Sequence, residues 1–240
     1  MGTKSRAGLA LGLALAGLGA WPSPVLADSE FWNVLEVRVP LERPVPWSPR
    51  ALRAVSSSRF GFRYGGLGVS SLRVGPLWQP APWLMLGLHA SAYAEQAGNG
   101  AFNQMLRLEC EPNLQGAIGD LQINDRNRLE WRHTPGDVWW RYRNQLRVSY
   151  QPAAWNWWPT LSQELAWDLR PALPYTLVQS RFTVGAARVI NRATRLTTEY
   201  MWRQRPDPLL GWAHDHILMV TLLFAPDLTS EAGRGHAGGD

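Results

Sequence analysis

Between Asp120 and Tyr150 the chain reads DLQINDRNRLEWRHTPGDVWWRYRNQLRVSY, two extended segments joined at Thr134-Pro135-Gly136-Asp137. A Pro-Gly pair is among the strongest turn signals. In the first segment Arg126, Arg128, Glu130 and Arg132 alternate with Asp125, Asn127, Leu129 and Trp131. In the second, Arg141, Arg143, Gln145 and Arg147 alternate with Trp140, Tyr142, Asn144, Leu146 and Val148. Successive side chains of a strand point to opposite faces, so each segment has one charged face and one mostly apolar, aromatic face. A helix would scatter the same charges around its circumference. The stretch is a β-hairpin, and few folds accommodate so charged a face opposite so apolar a one.

The same two-residue rhythm runs through the chain after Asp28. Leu35, Val37 and Val39 oppose Glu36 and Arg38. Leu84, Leu86, Leu88 and Ala90 oppose Met85, His89, Ser91 and Tyr93. Arg107, Glu109 and Glu111 oppose Leu106, Leu108 and Cys110, while Ser162, Glu164 and Asp168 oppose Leu161, Leu165 and Trp167. Arg195, Thr197, Glu199 and Arg203 oppose Leu196, Tyr200 and Trp202. Turn residues recur every 10–15 positions or so, which predicts an all-β sandwich or closed barrel in one domain over 28–225. The tally along the chain is eleven segments. Single-chain bacterial barrels have even strand numbers, so the expectation is an antiparallel up-and-down transmembrane β-barrel of about twelve strands, within 10–12.

The amino terminus carries Lys4 and Arg6, an apolar run from Ala7 to Ala20, and small residues Val25 and Ala27 before Asp28. That is the layout of a cleaved signal peptide over 1–27. The competing reading is an uncleaved anchor over Ala7 to Ala27, against which the four glycines and two prolines of that stretch argue. Removing Lys4 and Arg6 leaves 22 basic residues against 19 acidic, so the net charge falls from +5 to +3 and every remaining cation is arginine. Cys110 is alone and permits no intrachain disulfide. Residues 226–240 read as a polar, flexible, Gly-rich tail.

Alternation does not say which face is inside. A water-soluble barrel buries its apolar faces, whereas an outer-membrane barrel turns them to lipid. Long strands favour the second arrangement, as does the placement of tryptophan near strand ends, since indole prefers a boundary between apolar and wet. Trp47, Trp78, Trp83, Trp155, Trp157 and Trp158 flank one set of turns, and Trp131, Trp139, Trp140, Trp202 and Trp212 the other. Both charge signs on neighbouring strands suit a lumen cross-linked by ion pairs. The lumen-lining candidates are Arg107, Glu109, Glu111, Arg126, Arg128, Glu130, Arg132, Arg141, Arg143, Arg147, Glu164, Arg195 and Glu199. The alternative is a soluble exported β-protein whose charged faces meet water.

NDRNRLEWRH, WWRYRNQLRVSY and PTLSQELAWDL, followed by QSRFTVGAARVINRATRLTTEYMWRQ and HDHILMVTLLF, resemble the family of presumed outer-membrane barrels known as domain of unknown function 2490. The resemblance spans nearly all of residues 31–224 and is strongest over Arg126–Arg132. It implies a barrel in the bacterial outer membrane and no established activity.

Chemistry-bearing motifs are sparse. His214 and His216 share a face but lack an evident third metal ligand, and solvated loop histidines are the expectation. His89 is expected to be an ordinary hydrogen-bonded histidine on the polar face. Ser162 and Glu164 with His89 or His133 would be the raw material of a hydrolase site, but no nucleophile motif accompanies them, and no enzyme is expected. No motif calls for a cofactor or a metal. Export and a nearly balanced charge argue against nucleic acid. The expected partners are outer-membrane lipid and small acidic solutes, the latter because rings of basic side chains bias a pore toward anions. Should the glutamates pair with those arginines, the barrel is instead filled by its own side chains.

Overall fold

The computed structural model describes residues 28–41, 48–61, 66–97, 100–170, 173–207 and 211–226. The proposed signal peptide, Trp47 and the tail beyond 226 lie outside the described residues. Every regular element among them is a strand: β1 (Asp28–Pro40), β2 (Ala51–Gly61), β3 (Gly66–Ala81), β4 (Leu84–Gln96), β5 (Phe102–Ile118), β6 (Leu121–Thr134), β7 (Asp137–Tyr150), β8 (Trp157–Arg170), β9 (Leu173–Asn191), β10 (Thr194–Asp207) and β11 (Gly211–Phe224).

Each strand pairs antiparallel with its successor, and the sheet closes where β1 pairs with β11. That seam is parallel, with Asn33 beside Val220 and Leu35 beside Leu222. Parallel closure follows from the strand number. Direction reverses at every turn, so in an odd-numbered set the first and last strands run the same way. The eleven strands lie within the expected 10–12, with an odd rather than an even number, and the barrel is antiparallel everywhere except at this join.

Tight turns hold the register. Pro135-Gly136 links β6 to β7, and Gly136 sits at φ 92°, a left-handed conformation open to glycine at no steric cost. Gly119, at φ 58°, does the same between β5 and β6. Across the opening hairpin the register places Glu130 beside Arg141, Arg128 beside Arg143 and Trp131 beside Trp140, so charged and apolar positions keep to separate faces. Fourteen residues, the length of β6, β7, β8, β10 and β11, rise about 3.3 Å each and, at a tilt near 40°, cover roughly 35 Å along the barrel axis.

The faces are inverted relative to a water-soluble protein. Leu72, Leu88, Leu106, Leu108, Leu129 and Leu146 are exposed on the outside, whereas Glu109, Glu111, Glu130, Arg132, Glu164 and Asp215 are buried inside. Apolar residues enter the interior singly on β2, β3 and β7, as at Val55, Val69, Leu77 and Trp139, and as a cluster beneath the seam, where Trp32, Met201 and Ile217 pack together with Met219 against them. One patch breaks the outer apolar surface at mid-height on β6 and β7. There Tyr142 Oη donates to Asn127 Oδ1 at 2.5 Å, and Asn144 Nδ2 donates to Asp125 Oδ1 at 2.6 Å and to Asn127 Oδ1 at 3.1 Å.

Candidate functional site: a carboxylate-bridged arginine interior

Inward-facing positions of β5, β6 and β7 begin the site. Glu130 on β6 is fully buried and meets three guanidinium groups: Arg132 on its own strand, Arg143 Nε at 3.0 Å and Arg128 Nη1 at 3.5 Å. Glu111 on β5 receives Arg128 at 2.6 Å, Arg53 at 2.9 Å and Arg73 at 3.3 Å. Glu109 takes Arg73 at 3.2 Å and Arg128 at 3.6 Å, and Ser91 Oγ donates to it at 2.6 Å. Glu164 on β8 collects Arg181 at 2.8 Å, Arg126 at 3.3 Å and Arg143 at 3.4 Å. Each carboxylate is thus a node for several arginines, which the forked guanidinium suits and a point-charged ammonium does not.

The links reach beyond adjacent strands. Arg53 of β2 meets Glu111 of β5, and Arg147 of β7 meets Glu199 of β10 at 2.7 Å. Arg141 reaches Asp168 at 2.5 Å. Beneath the seam Arg203 joins Glu30 and Asp215, each at 2.7 Å, and Arg205 adds a contact to Asp215 at 3.1 Å. The result is a cross-braced interior rather than a ladder of nearest neighbours.

Most sequence-predicted lumen residues thus meet inside. Arg195 lies on the same inner face, its guanidinium 5.9 Å from the Trp158 ring centroid. Arg107 is buried but differs in its partners. Its guanidinium lies 3.4 Å over the Tyr93 ring and its Nε donates to Met105 Sδ at 3.1 Å, with no carboxylate partner among the described residues. Sequence reasoning left out Arg53, Arg73, Arg181, Glu30 and Asp215. Their signal is the same period of two; for Arg53 and Arg73, serines and glycines on β2 and β3 blur the contrast between faces.

Among the aromatic candidates, Trp83, Trp140, Trp155 and Trp157 are exposed, and Trp78 and Trp202 are half-buried on the outer face. Trp139 departs from expectation. It alternates with exposed Val138 and Trp140, so it points inward and is buried, with Arg170 4.5 Å over its ring. Trp158 is likewise on the inward parity, half-buried against Arg195. A Trp-Trp pair always splits between the two faces of a strand, so neither pair contributes both rings to one surface.

The histidines also separate. His214 and His216 lie on the outer face of β11, stacked on Trp202 and Tyr200, with Tyr200 Oη hydrogen-bonded to His216 Nδ1. They are part of the strand rather than a loop. His133 stacks on Trp131 outside, whereas Ser162 faces inward and accepts from Gln145 Nε2 at 3.3 Å. The version of the hydrolase combination that uses His133 is therefore split by the barrel wall, while Ser162, Glu164 and His89 all lie inside. His89 is buried inside with neither ring nitrogen hydrogen-bonded, contrary to the expected ordinary pairing. Gly87 makes room for it: a Cβ there would come within 2.4 Å of His89 Cε1.

No curated protein matches the chain. The family described as a protein of unknown function, DUF2490, matches residues 30–208, from β1 to just past the end of β10, and leaves the closing strand β11 outside the matched span. The resemblance carried by the Arg126–Arg132 segment and its neighbours is thereby established: the chain belongs to the DUF2490 family.

Proposed function

We propose that this protein is a bacterial outer-membrane barrel with an arginine-biased interior that binds small anions. The observation that carries the reading is the inversion of faces. Leucines such as Leu72, 54% exposed, cover the outside, while Glu130 and Asp215 are 0% and 1% exposed inside. In water the outer leucines have nothing to cover them; in hydrocarbon they are in their preferred solvent. Strand span supports the same placement, since roughly 35 Å exceeds the apolar band of about 25 Å in such barrels. Exposed aromatics at both ends suit the two interfaces: Trp83, Trp155 and Trp157 at one, Trp140 and Trp212 at the other.

Salt bridges that cross from β2 to β5 and from β7 to β10 obstruct a straight water path. They favour a binding barrel over an open pore. The cation bias comes from arginines that the carboxylates leave over, Arg107 among them.

A soluble exported barrel is the second reading, and the Asp125–Asn127–Asn144 patch is what favours it, since a carboxylate at mid-height on a lipid face is costly. Mutual hydrogen bonding within the patch reduces that cost. Cell fractionation followed by gel electrophoresis separates the readings. A membrane barrel stays in the envelope pellet until detergent is added, and its unboiled form migrates apart from its boiled form. Release into buffer without detergent, with no such shift, contradicts the membrane placement.

A further inference from the structure

The interior holds arginines whose company is aromatic rather than acidic. Arg59 on β2 lies 4.1 Å over the Trp32 ring and has no carboxylate within ion-pair distance among the described residues. Arg181 and Arg203 approach the same indole at 5.4 and 5.6 Å. Arg107 lies over Tyr93 and is 8% exposed. The register sets Arg107 directly beside Arg132, whose own guanidinium is spent on Glu130. Tyr93 and Glu95 of β4 fall between the two arginines, and both interact electrostatically with Arg59, as does Glu30. These carboxylates moderate the local charge without occupying the guanidinium edges.

A ring face binds one side of a guanidinium and leaves its N–H edge free, since the five donors lie in the plane of the group. Stacking therefore fixes the orientation of Arg59 and Arg107; Arg107 gives its Nε to Met105 Sδ, and its terminal Nη donors and those of Arg59 stay available. Both sit toward one mouth of the barrel: Arg59 is near the end of β2 at Gly61, Tyr93 near the end of β4 at Gln96, and Arg107 in the first third of β5. Planar donor pairs held by rings, in a region where other arginines are already committed to carboxylates, match the two oxygens of a carboxylate or phosphate group.

We propose that Arg59 and Arg107, held by Trp32 and Tyr93, form a seat for an oxyanion, the carboxylate or phosphate group of a small solute entering from that mouth. The seat rests on the reading of the protein as an anion-binding barrel, and it names the group that binds and the residues that bind it. Inward-facing arginines elsewhere act mainly as structural cross-links.

The test is calorimetric titration of the full detergent-folded protein with inorganic phosphate at constant ionic strength. Wild type binds phosphate saturably. Arg107→Gln and Arg59→Gln each weaken binding about tenfold or more, with the unboiled gel band unchanged. Arg188→Gln, which removes an outer-face arginine near Trp157, leaves binding as it was. Arg107→Lys keeps the charge but loses the fork and serves if the glutamine variant fails to fold; it also weakens phosphate binding. Wild type that shows no saturable phosphate binding overturns the seat, as do folded Arg59 and Arg107 variants that bind like wild type. A protein that needs detergent and shifts on boiling, yet binds no phosphate, retains its membrane placement and loses only the seat.

Discussion

At the scale of single residues, the interior is governed by the cost of leaving a charge alone. Glu130 faces Arg128, Arg132 and Arg143 with none of its surface exposed. Desolvating this many charges is expensive, and what makes the arrangement tolerable is that Glu109, Glu111, Glu130 and Glu164 are each shared by two or three arginines. Glu130→Gln keeps the shape and removes the shared anion, leaving three guanidinium groups crowded together. The expected loss is about 3–5 kcal/mol of unfolding free energy, as for other broken buried pairs, read by denaturant unfolding in micelles. A loss under about 1 kcal/mol, typical of surface pairs, would mean the lumen is wet enough to screen them. Much of this was legible beforehand, because Arg126, Arg128, Glu130 and Arg132 share one parity and their partners on β7 share another. What could not be read was which pairs meet. Glu111 with Arg53, and Glu199 with Arg147, join strands far apart in the chain. That pairing depends on barrel curvature, which a local pattern does not encode. Trp139 is a different lapse: clustering near a turn suggested an interface ring, but parity alone places it inside.

At the scale of strands, the decisive feature is the seam. Local alternation marks eleven segments, as observed, but the alternation of β5 is legible only to Glu111, whereas the strand continues through Pro112 to Ile118. The expectation of an even number came from other barrels rather than from these residues. Parallel pairs carry slanted hydrogen bonds and are slightly weaker per residue than antiparallel ones. Here Trp32, Met201 and Ile217 pack beneath the seam, so apolar burial reinforces the join where backbone pairing is weaker. Register across the seam is directly testable. In a Cys110→Ser background, Asn33→Cys with Val220→Cys places the two thiols on paired outer positions. An intramolecular disulfide is expected, detected as a mobility change in the reduced and unreduced boiled protein. If an unseen twelfth strand separated β1 from β11, the pair would lie about two strand spacings apart, near 10 Å, and would not cross-link.

At the scale of the whole molecule, the argument is about which solvent each face meets. The barrel is an inside-out protein: its charges brace one another across the lumen, and its hydrocarbon faces outward. The proposed membrane placement rests on that inversion, and the proposed anion seat on arginines left over after bracing. The chain carries its own probe of the central claim. Cys110 is its sole cysteine; it is exposed on the outer face of β5, beside Leu88 of β4 and Leu129 of β6. The measurement is labelling of Cys110 by a charged, membrane-impermeant maleimide in protein folded into lipid vesicles, compared with denaturant-unfolded protein. Protection of the folded form, with full labelling after unfolding, is the predicted result. Labelling of the vesicle-reconstituted, folded protein as fast as the unfolded chain would put that face in water and contradict the account.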